Sequence, residues 1–362
     1  MKSLPDVKSA SNRTGMEGEQ TPVVTRVVDP LSIADWDAQI ARIEGASFFH
    51  TAAWARVLEG TYGYKPLYLV STQEGSIRGL LPLMEVNSWV TGKRGVSLPF
   101  SDECPPIGSG VGALVAEMRR MGEERGWKYW EVRGGEAPEA GAEPSISFFE
   151  HSLQLGAEEK IFSGLEGSVR RAIRKAEKEG VSVEVATSLE AVRTFYELHC
   201  RTRQKHGVPP QPFEFFANFQ RHVLAHNLGF VVIARHGGMP IAASVFVHFG
   251  SEAIYKYGAS DEKFKHFRGA NLVMWHGIQR LTRAGFHRLG FGRTSQGNEG
   301  LRRFKLGWGA EERLLSYFRF DLPGNQYVTG LDDAPGLANK AVSLMPVSLA
   351  KVTGHFMYRH VG

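Results

Sequence analysis

The chain has 362 residues, of which 42% are hydrophobic and 22% are charged. This composition is ordinary for a folded globular protein and excludes a largely disordered chain, while the length favours two domains. The formal net charge of +5 mildly favours anionic partners, and no run of about 18 apolar residues is present to form a membrane-spanning helix.

The first 20 residues are polar and lack the apolar segment of a secretory signal. They predict a disordered tail on a cytoplasmic protein. Cys104 and Cys200 are too few for a disulfide framework and form no CxxC pair, which is compatible with a reducing compartment.

The same order of elements is predicted twice along the chain. In the first half, PLYLVSTQEGSIRGLLPLMEV predicts strands joined across Gly75, and ALVAEMRRMGEERGWKYWEVRG predicts a helix, Gly126 and a strand. In the second half, GFVVIARHGGMPIAASVFVHF predicts a hairpin at Gly238, SEAIYKYGAS a further strand, and ANLVMWHGIQRLTRAGFHRLGFGR a helix, Gly285 and a strand. A duplicated α/β unit explains this correspondence, and the alternative is an element order that many α/β proteins share.

Two further segments lie outside the repeated units. Residues 134–147 are rich in Gly, Pro and Glu and predict an exposed loop before the junction of the two units. After about residue 325, apolar residues at helical spacing, interrupted by Pro346, predict a terminal helical piece that packs on the body of the protein. The alternative for this piece is a peripheral membrane helix, because it is also basic. Its basic residues include Lys340, Lys351, Arg359 and His360.

The helix predicted over GSVRRAIRKAEKEGV has a basic flank that a phosphate or a polyanion could occupy. This flank consists of Arg170, Arg171, Arg174 and Lys178. The alternative is a solvated face that pairs with neighbouring glutamates. The next helix ends in HCRTRQKHG, where His199 and His206 share a face, but a third ligand is missing and no metal site is predicted.

The stretch GFHRLGFGRTSQGNEGLRRFKLGWGA is the best candidate for chemistry, because no GxSxG, GxGxxG or GxxxxGK[ST] motif is present. Its glycine-rich loop presents backbone N–H groups, and Lys305 stands between Phe304 and Leu306. Since apolar neighbours hold the stem, we expect the ammonium to face a pocket and to stabilise an oxyanion or a phosphate. The alternative is a lysine that extends into solvent from a strand edge.

Seven motifs occur in order over residues 25 to 360: SFFHTAAWARVLEGTYGYKPLYLV, LLPLMEV, VRRAIRKAEKEGV, YKYGAS, RGANLVMWHGIQRLTRAG, GFGRTSQGNEGLRRFKLGWGA and LMPVSLAKVTGHFMYRH. Together they resemble the Fem-type branch of the GNAT acyltransferase superfamily, which includes peptidoglycan-bridge aminoacyltransferases and acetyltransferase-like proteins of envelope polysaccharide clusters. The resemblance implies an α/β (α+β) fold with tandem duplicated GNAT-like domains, each a mixed, mostly antiparallel sheet flanked by helices. It implies a first domain over residues 21–155, completed by residues 330–362, and a second domain over residues 156–329 that carries the catalytic cleft.

The resemblance also implies an N-acyltransferase that moves an acetyl or aminoacyl group to an amine of a cell-envelope glycan or peptidoglycan precursor, without an acyl-enzyme intermediate. Lys305 is then the catalytic cation beside the reacting carbonyl. Direct attack by an amine needs positioning and charge stabilisation, which such a cation supplies. Arg203 matches the position that contacts an acceptor phosphate. The expected substrate-binding residues are Arg203, Arg293, Tyr257, Asn271, Arg170 and Arg174.

Departures from the family pattern leave the substrates open. Leu58 stands where bridge-forming members carry a phosphate-binding lysine, no coiled-coil arm of the kind associated with tRNA-dependent transfer is present, and HFRGAN is a degenerate acyl-CoA loop. The expected donor is acyl-CoA or aminoacyl-tRNA, with no permanently bound cofactor. The expected acceptor is an amino sugar, a peptide or a lipid-linked glycan.

The expected location is cytoplasmic, with peripheral association at the inner face of the plasma membrane as the alternative and no DNA partner. The alternative function is a non-catalytic envelope-assembly protein that holds a glycan precursor with a GNAT fold. An RNA-binding module is disfavoured, because the basic helix lacks interleaved aromatic residues.

Overall fold

The structure is a computed structural model that describes residues 24–331 and 345–360. The tail expected over residues 1–20 lies outside the described residues. The strands, in chain order, are β1 Val24–Val28, β2 Lys65–Pro66, β3 Tyr68–Gln73, β4 Ser76–Leu81, β5 Met84–Ser88, β6 Gly92–Val96, β7 Ile107–Gly108, β8 Tyr129–Arg133, β9 Ile146–Gln154, β10 Ser182–Ala186, β11 Gly229–His236, β12 Met239–Phe249, β13 Glu252–Ser260, β14 Arg288–Ser295, β15 Glu311–Asp321 and β16 Gln326–Val328. The α-helices are α1 Trp36–Ile40, α2 Ala52–Tyr62, α3 Val111–Arg125, α4 Glu158–Gly164, α5 Gly167–Lys178, α6 Leu189–Lys205, α7 Phe213–His222, α8 Gly269–Arg283, α9 Glu299–Leu306 and α10 Val347–Tyr358.

Most of the strands join one large mixed sheet. Its order is β10-β11-β12-β13-β14-β9-β15-β8-β6-β5-β2, with β16 paired to β15. Two neighbouring pairs, β13 with β14 and β6 with β8, are parallel, whereas the other described pairs are antiparallel. A second sheet has the order β1-β3-β4-β7. The expected mixed, mostly antiparallel sheet with flanking helices is confirmed.

The two predicted hairpins and the two helix–glycine–strand units form where the sequence places them. Gly75 turns the chain between β3 and β4, and Gly238 does so between β11 and β12. Helices α3 and α8 are followed by Gly126 and Gly285, whose φ angles of 66° and 83° favour glycine. The units differ in their sheets, because β3 and β4 lie in the four-stranded sheet whereas β11 and β12 lie in the large one.

Strand β9 joins the two halves of the large sheet. It pairs antiparallel with β14 on one side and with β15 on the other, and β15 pairs in turn with β8. The sheet is therefore continuous across the expected domain boundary at residue 155. The division of the chain at that residue stays a prediction.

An aromatic core packs helices of the two halves together. Trp54, on α2, is fully buried, and its ring lies 5.5 Å from that of Phe49 and 5.9 Å from that of Phe215 on α7. Aromatic pairs at these distances and near-perpendicular angles stabilise a core beyond their buried area. This core supports one side of the site described below.

Helix α10 packs on the body of the protein, as the sequence predicts for the terminal segment. The Tyr64 hydroxyl donates to the Tyr358 carbonyl at 2.8 Å, and the Gln204 amide donates to the Met345 carbonyl at 2.7 Å. A Cβ atom at Gly354 would lie 1.9 Å from the Pro210 carbonyl oxygen, so glycine is needed for this close approach. Within the described residues, no helix is both long and apolar enough to cross a membrane.

Candidate active site

The parallel strands β13 and β14 pair over only a short stretch and then separate. Their register joins Glu252 with Arg288, Ala253 with Leu289 and Ile254 with Gly290, and no further pair follows, although both strands continue. An opening therefore forms between two adjacent central strands, at their carboxyl ends. Such crevices at strand ends are common places for ligands in α/β sheets.

Both strands carry a β-bulge at this opening. On β13, Tyr255 and Tyr257 face consecutive residues of β12, so that Lys256 is the extra residue. On β14, the register against β9 shifts between Gly290 and Arg293. Bulges re-aim side chains and occur often beside active sites.

Asp102, from the first half of the chain, forms an ion pair at the opening with Lys256, whose side chain is buried while that of Asp102 is partly exposed. The Lys256 ammonium donates to the Asp102 carboxylate at 2.9 Å and to the Phe100 carbonyl at 2.7 Å. It also lies 4.9 Å from the ring centre of Phe49. Burial opposes ionisation of Asp102, but the positive charges of Lys256, Arg293 and Lys305 outweigh it, so the pKa of this carboxyl lies below its usual value.

The backbone of Gly292 lies against the Asp102 side chain. Its φ of 67° lies in the left-handed region, and a Cβ atom there would be 3.0 Å from Cγ of Asp102. Both the backbone conformation and the close approach therefore require glycine.

Lys305 lies on α9 and is directed at β14 from within the protein. Only 2% of the residue is exposed, and the ammonium donates to the carbonyls of Gly292 at 2.7 Å and of Arg293 at 3.0 Å. Burial lowers the pKa of Lys305 to about 8, although the negative charges of Asp102 and Glu150 oppose this shift. The ammonium uses two of its three donors on these carbonyls.

A helix therefore holds the side chain of Lys305, as expected, but its ammonium meets backbone carbonyls of β14 and lines neither of the two cavities that lie beside β14 and α9. Asn298 caps the beginning of this helix, since its side chain accepts the Leu301 N–H at 3.1 Å. Leu306, expected beside the stem, is instead 40% exposed. The alternative of a lysine reaching solvent from a strand edge is excluded by the burial of Lys305.

Arg293 lies among aromatic rings at the same opening. Its guanidinium carbon is 4.4 Å from the ring centre of Phe148 and 5.3 Å from that of Tyr317. The Tyr317 hydroxyl donates to the Asp102 carbonyl at 2.5 Å, which ties this arrangement to the loop from the first half. Arg293 therefore adds a fixed positive charge beside Asp102.

A cavity of about 240 Å³ opens beside Asp102 and Gly292, with several carboxylates in its wall. The carboxylates are those of Asp102, Glu103, Glu150 and Glu252. Glu150 accepts from Arg313 at 2.5 Å and from Arg288 at 3.2 Å. Burial raises the pKa of Glu103, in spite of its pairing with Arg313. We call this space, which Arg288 and Arg313 also line, the carboxylate cavity. Its four carboxylates outnumber its two arginines, so its charge suits an amino group.

A larger groove of about 630 Å³ lies between α5, α9 and the beginning of α8. Its cationic lining residues are Arg171, Lys175, Arg268 and Arg303, with Asn271 beside them and Glu166 as the acidic member. Cations and a helix N-terminus favour an anionic group such as a phosphate. We call this space the basic groove.

Some of the predicted binding residues line the basic groove and others do not. Asn271, on α8, lines the groove, and so does Arg171 on the basic helix α5. Arg174 instead lies with its guanidinium carbon 5.5 Å from the ring centre of Phe162, and neither it nor Arg170 lines the groove. The helix presents Arg171 and Lys175 to the groove because these two residues lie one turn apart on one face.

Arg203 and Tyr257 lie in a neighbouring aromatic region. Arg203 donates to the Tyr358 hydroxyl at 2.5 Å, and its Nε is buried without a hydrogen-bond partner. The Tyr257 hydroxyl accepts from the Gln211 amide at 3.4 Å. The Tyr257 ring centre is 5.3 Å from the Lys256 ammonium, so Tyr257 adjoins the opening on the side of Arg203.

Asp102, Glu103 and Lys256 are site residues that the sequence analysis did not select. A lysine between two tyrosines in the apolar strand SEAIYKYGAS was a usable signal, because a buried lysine needs a partner. The carboxylates follow PFSDECPP, where nothing local indicates that this loop reaches the second half of the chain. Among the described residues, no group of three His, Cys, Asp or Glu residues is arranged to hold a metal ion.

His151 is another titratable group near Lys305. It lies on β9, is fully buried and pairs through Nε2 with Glu312 at 2.9 Å, while Nδ1 has no hydrogen-bond partner. Burial, with the positive charge of Lys305, lowers the pKa of His151. The ring is therefore neutral near pH 7.

The comparisons with known proteins agree with this geometry. Residues 165–313 match the family model described as an acetyltransferase (GNAT) domain. This range contains Lys256, the opening between β13 and β14, the basic groove and Lys305. No curated protein gives a significant sequence match to the chain.

Solved structures resemble more than four fifths of the chain in fold, at low sequence identity. FemX is 12% identical with a TM-score of 0.62, over 81% of this chain and 96% of that chain. The C-terminal domain of a putative lysylphosphatidylglycerol synthetase from Agrobacterium fabrum is 13% identical with a TM-score of 0.51, over 83% of this chain and 91% of that chain. A tandem GNAT protein from the clavulanic acid biosynthesis pathway is 12% identical with a TM-score of 0.51, over 86% of this chain and 100% of that chain.

These structures confirm the expected fold class, because they match most of the chain in fold and one of them is a tandem GNAT protein. The opening between two parallel strands and the buried lysine beside it lie inside the segment that matches the family. Residues 165–313 therefore match a GNAT acetyltransferase domain, and most of the chain shares its fold with FemX and with a tandem GNAT protein.

Proposed function

We propose that the protein transfers an acetyl or aminoacyl group to the amine of a cell-envelope glycan or peptidoglycan precursor. In this proposal the donor, acyl-CoA or aminoacyl-tRNA, lies in the basic groove and the acceptor amine lies in the carboxylate cavity. The names of two structural neighbours, FemX and lysylphosphatidylglycerol synthetase, and the motifs of the Fem-type branch support an envelope acceptor.

One observation carries the proposal. Helix α9 lines the basic groove through Arg303 and Phe304, and the next residue, Lys305, contacts the carbonyl of Gly292, which lines the carboxylate cavity. A fixed cation therefore lies between a space suited to an anionic donor and a space suited to an amine. This is the place where an acyl carbonyl has to be polarised.

The proposed step is a direct displacement. The amine nitrogen forms a bond to the donor carbonyl carbon, the carbonyl electrons move to oxygen, and the Lys305 ammonium stabilises this oxyanion. Collapse of the intermediate breaks the bond to the thiolate of coenzyme A or to the ribose oxygen of the tRNA. The amine proton passes to a carboxylate of the cavity, and Glu103 is the proposed acceptor because its pKa is raised. The departing sulfur or ribose oxygen takes up a proton in its place, so that the free thiol or hydroxyl leaves.

The test offers the purified protein acetyl-CoA or aminoacyl-tRNA with amino-sugar, peptide and lipid-linked acceptors. We expect Lys305→Ala to reduce kcat by about a hundredfold to a thousandfold, as the loss of an oxyanion donor does. Lys65→Ala, at an exposed lysine on β2, is the matched control and should transfer normally.

Two results would count against the proposal. Unchanged transfer by Lys305→Ala would remove the role of this lysine. Absence of transfer with every donor, together with thermal stabilisation by a glycan acceptor alone, would favour the non-catalytic envelope-assembly protein, because a ligand that binds the native state raises its stability.

A further inference from the structure

The outer face of α10 is apolar and uncovered by the described residues. Leu349, Val352 and Phe356 are 50%, 54% and 67% exposed. Their spacing of three and four residues places them on one side of the helix. The opposite side is the one that packs on the body of the protein. Its buried residues are Ala350, Gly354 and Tyr358.

A second exposed apolar group adjoins the end of this helix. Trp89, in the turn between β5 and β6, is 90% exposed, and its neighbour Val90 is 57% exposed. The Trp89 ring meets the His360 ring edge-on with centroids 5.7 Å apart. The His360 carbonyl accepts from Arg94 at 2.8 Å and from Thr91 at 2.9 Å, which fixes the turn to the end of α10.

The turn and the helix face therefore form one surface, which we call the apolar ridge and define as Trp89, Val90, Leu349, Val352 and Phe356. These residues supply five of the twelve large hydrophobic side chains that are exposed among the described residues. Concentrated exposure of this kind indicates a binding surface, whereas single exposed apolar residues do not.

The surroundings of the apolar ridge are cationic. A groove of about 460 Å³ between α6 and α10 is lined by Arg193, Lys351 and His355, with Glu197 as its acidic member. The Arg193 guanidinium carbon lies 4.6 Å from the ring centre of Phe213, and the Lys351 ammonium lies 5.1 Å from that of Tyr196. Residues 345–360 contain no carboxylate side chain.

We propose that the apolar ridge inserts into the surface of an anionic lipid bilayer, and that the adjoining groove receives a phosphate headgroup. Apolar and aromatic side chains on one face, with cations beside them, suit the boundary between headgroups and acyl chains. A tryptophan that is nearly fully exposed suits the same boundary, since its ring is apolar and its N–H is polar. This binding requires no transfer reaction and is independent of the proposed activity.

The docked helix also adjoins the predicted acceptor-binding region. Tyr358, on the inner side of α10, accepts a hydrogen bond from Arg203 and donates one to the Pro209 carbonyl at 3.1 Å. A bilayer on the outer side of α10 would thus be separated from Arg203 by the thickness of one helix. A lipid-linked acceptor would not have to travel far from the bilayer.

Trp89 makes the proposal measurable in the intact protein. The chain has seven tryptophans, and the other six are at most 6% exposed. Quenching by acrylamide should therefore report mainly on Trp89. We expect vesicles of phosphatidylcholine with phosphatidylglycerol to bind the protein and to protect this fluorescence, and we expect no protection signal from Trp89→Phe.

Variants separate the two parts of the surface. Val352→Ser combined with Phe356→Ser should weaken binding to the anionic vesicles by roughly tenfold or more, because two apolar side chains are lost from the ridge. Met239→Ser is the matched control, since Met239 is 51% exposed at the start of β12 and should leave binding unchanged. Arg193→Gln with Lys351→Gln should remove the preference for phosphatidylglycerol.

The proposal is overturned if anionic vesicles do not cosediment the protein, or if the Val352→Ser, Phe356→Ser variant binds them as well as the original chain. Equal binding to phosphatidylcholine alone would overturn the headgroup part. A dimer in light scattering that Phe356→Ser dissociates would show that a second copy covers the ridge instead. Circular dichroism checks that each variant folds, and transfer to a soluble acceptor should be unchanged in Phe356→Ser.

Discussion

Asp102 and Lys256 are 154 residues apart in the chain, yet their carboxylate and ammonium meet at 2.9 Å in front of Gly292. Asp102 comes from a loop of the first half, whereas Lys256 is the bulged residue of a strand in the second half. The opening between β13 and β14 is therefore completed by a residue from outside the GNAT domain that the family model covers.

Breaking this pair should destabilise the protein strongly. Asp102→Asn leaves the Lys256 ammonium without its charge partner, and the side chain of Lys256 is only 5% exposed. Loss of one partner of a buried pair costs about 3–5 kcal/mol, and we expect a decrease of this order in the free energy of unfolding by urea. Adding Lys256→Met should recover part of the loss, because the unpaired charge is then removed. Strictly additive effects of the two substitutions would contradict a direct coupling.

Alanine in place of Gly292 should lower the free energy of unfolding more than alanine in place of Gly285. Both glycines have positive φ angles, of 67° and 83°, so alanine strains the backbone at each by about 1–2 kcal/mol. Only at Gly292 would the new Cβ press on Asp102, because nothing lies within 4 Å of a Cβ at Gly285. In urea unfolding, we expect the loss of free energy caused by Gly292→Ala to be larger than that caused by Gly285→Ala by about 1 kcal/mol or more. Equal losses would show that the contact with Asp102 is easily relieved.

The rate of transfer should fall as the pH rises through about 8. The pKa of Lys305 is lowered to about 8, so the ammonium is charged below this pH and increasingly neutral above it. If its charge stabilises the oxyanion, kcat at saturating substrates is retained on the acidic side of this value and lost on the alkaline side.

Acceptors with different amine pKa values provide the control for this profile. The part of the pH–rate profile that reflects ionisation of the acceptor should shift with the pKa of its amine. The decrease near pH 8 should stay at the same pH. A profile in which every limb follows the amine would contradict a required charge on Lys305.

The basic groove predicts a contrast between two neighbouring arginines of α5. Arg171 lines the groove and Arg174 does not, although each lies on the exposed side of the helix. Arg171→Gln should raise KM for the donor roughly tenfold through loss of a charge-assisted contact, while Arg174→Gln, with the same change in charge, should leave it near its original value. Similar effects of both substitutions would indicate a diffuse electrostatic contribution instead of a contact.

The sequence was sufficient for the elements that local pattern determines. Strand alternation and turn glycines predict the hairpins at Gly75 and Gly238, and the helical spacing before Gly126 and Gly285 predicts α3 and α8. Lys305 could be selected because a single lysine stands among apolar residues after a glycine-rich loop. Its location on a short helix was missed, since the glycines around it favour a loop.

The rest of the site depends on contacts between distant segments. Asp102 reaches Lys256 only because β9 brings the two halves into one sheet, and no local pattern near either residue indicates this pairing. Arg171 lines the basic groove and Arg170 and Arg174 do not, and this difference depends on the orientation in which α5 packs beside α8 and α9. Periodicity identifies the basic flank of a helix, but the packing of its neighbours decides which cations line a groove.

The position of β9 has a consequence for the synthesis of the chain. This strand leaves the ribosome long before β14 and β15, the two strands between which it pairs, and the contacts that complete the central sheet are therefore of high sequence separation. A fragment expressed from residue 156 onward would lack β8 and β9 and would leave β14 and β15 with unpaired edges, which are templates for aggregation. The two halves of this protein repeat the same order of elements, but the second half needs strands from the first half to complete its sheet.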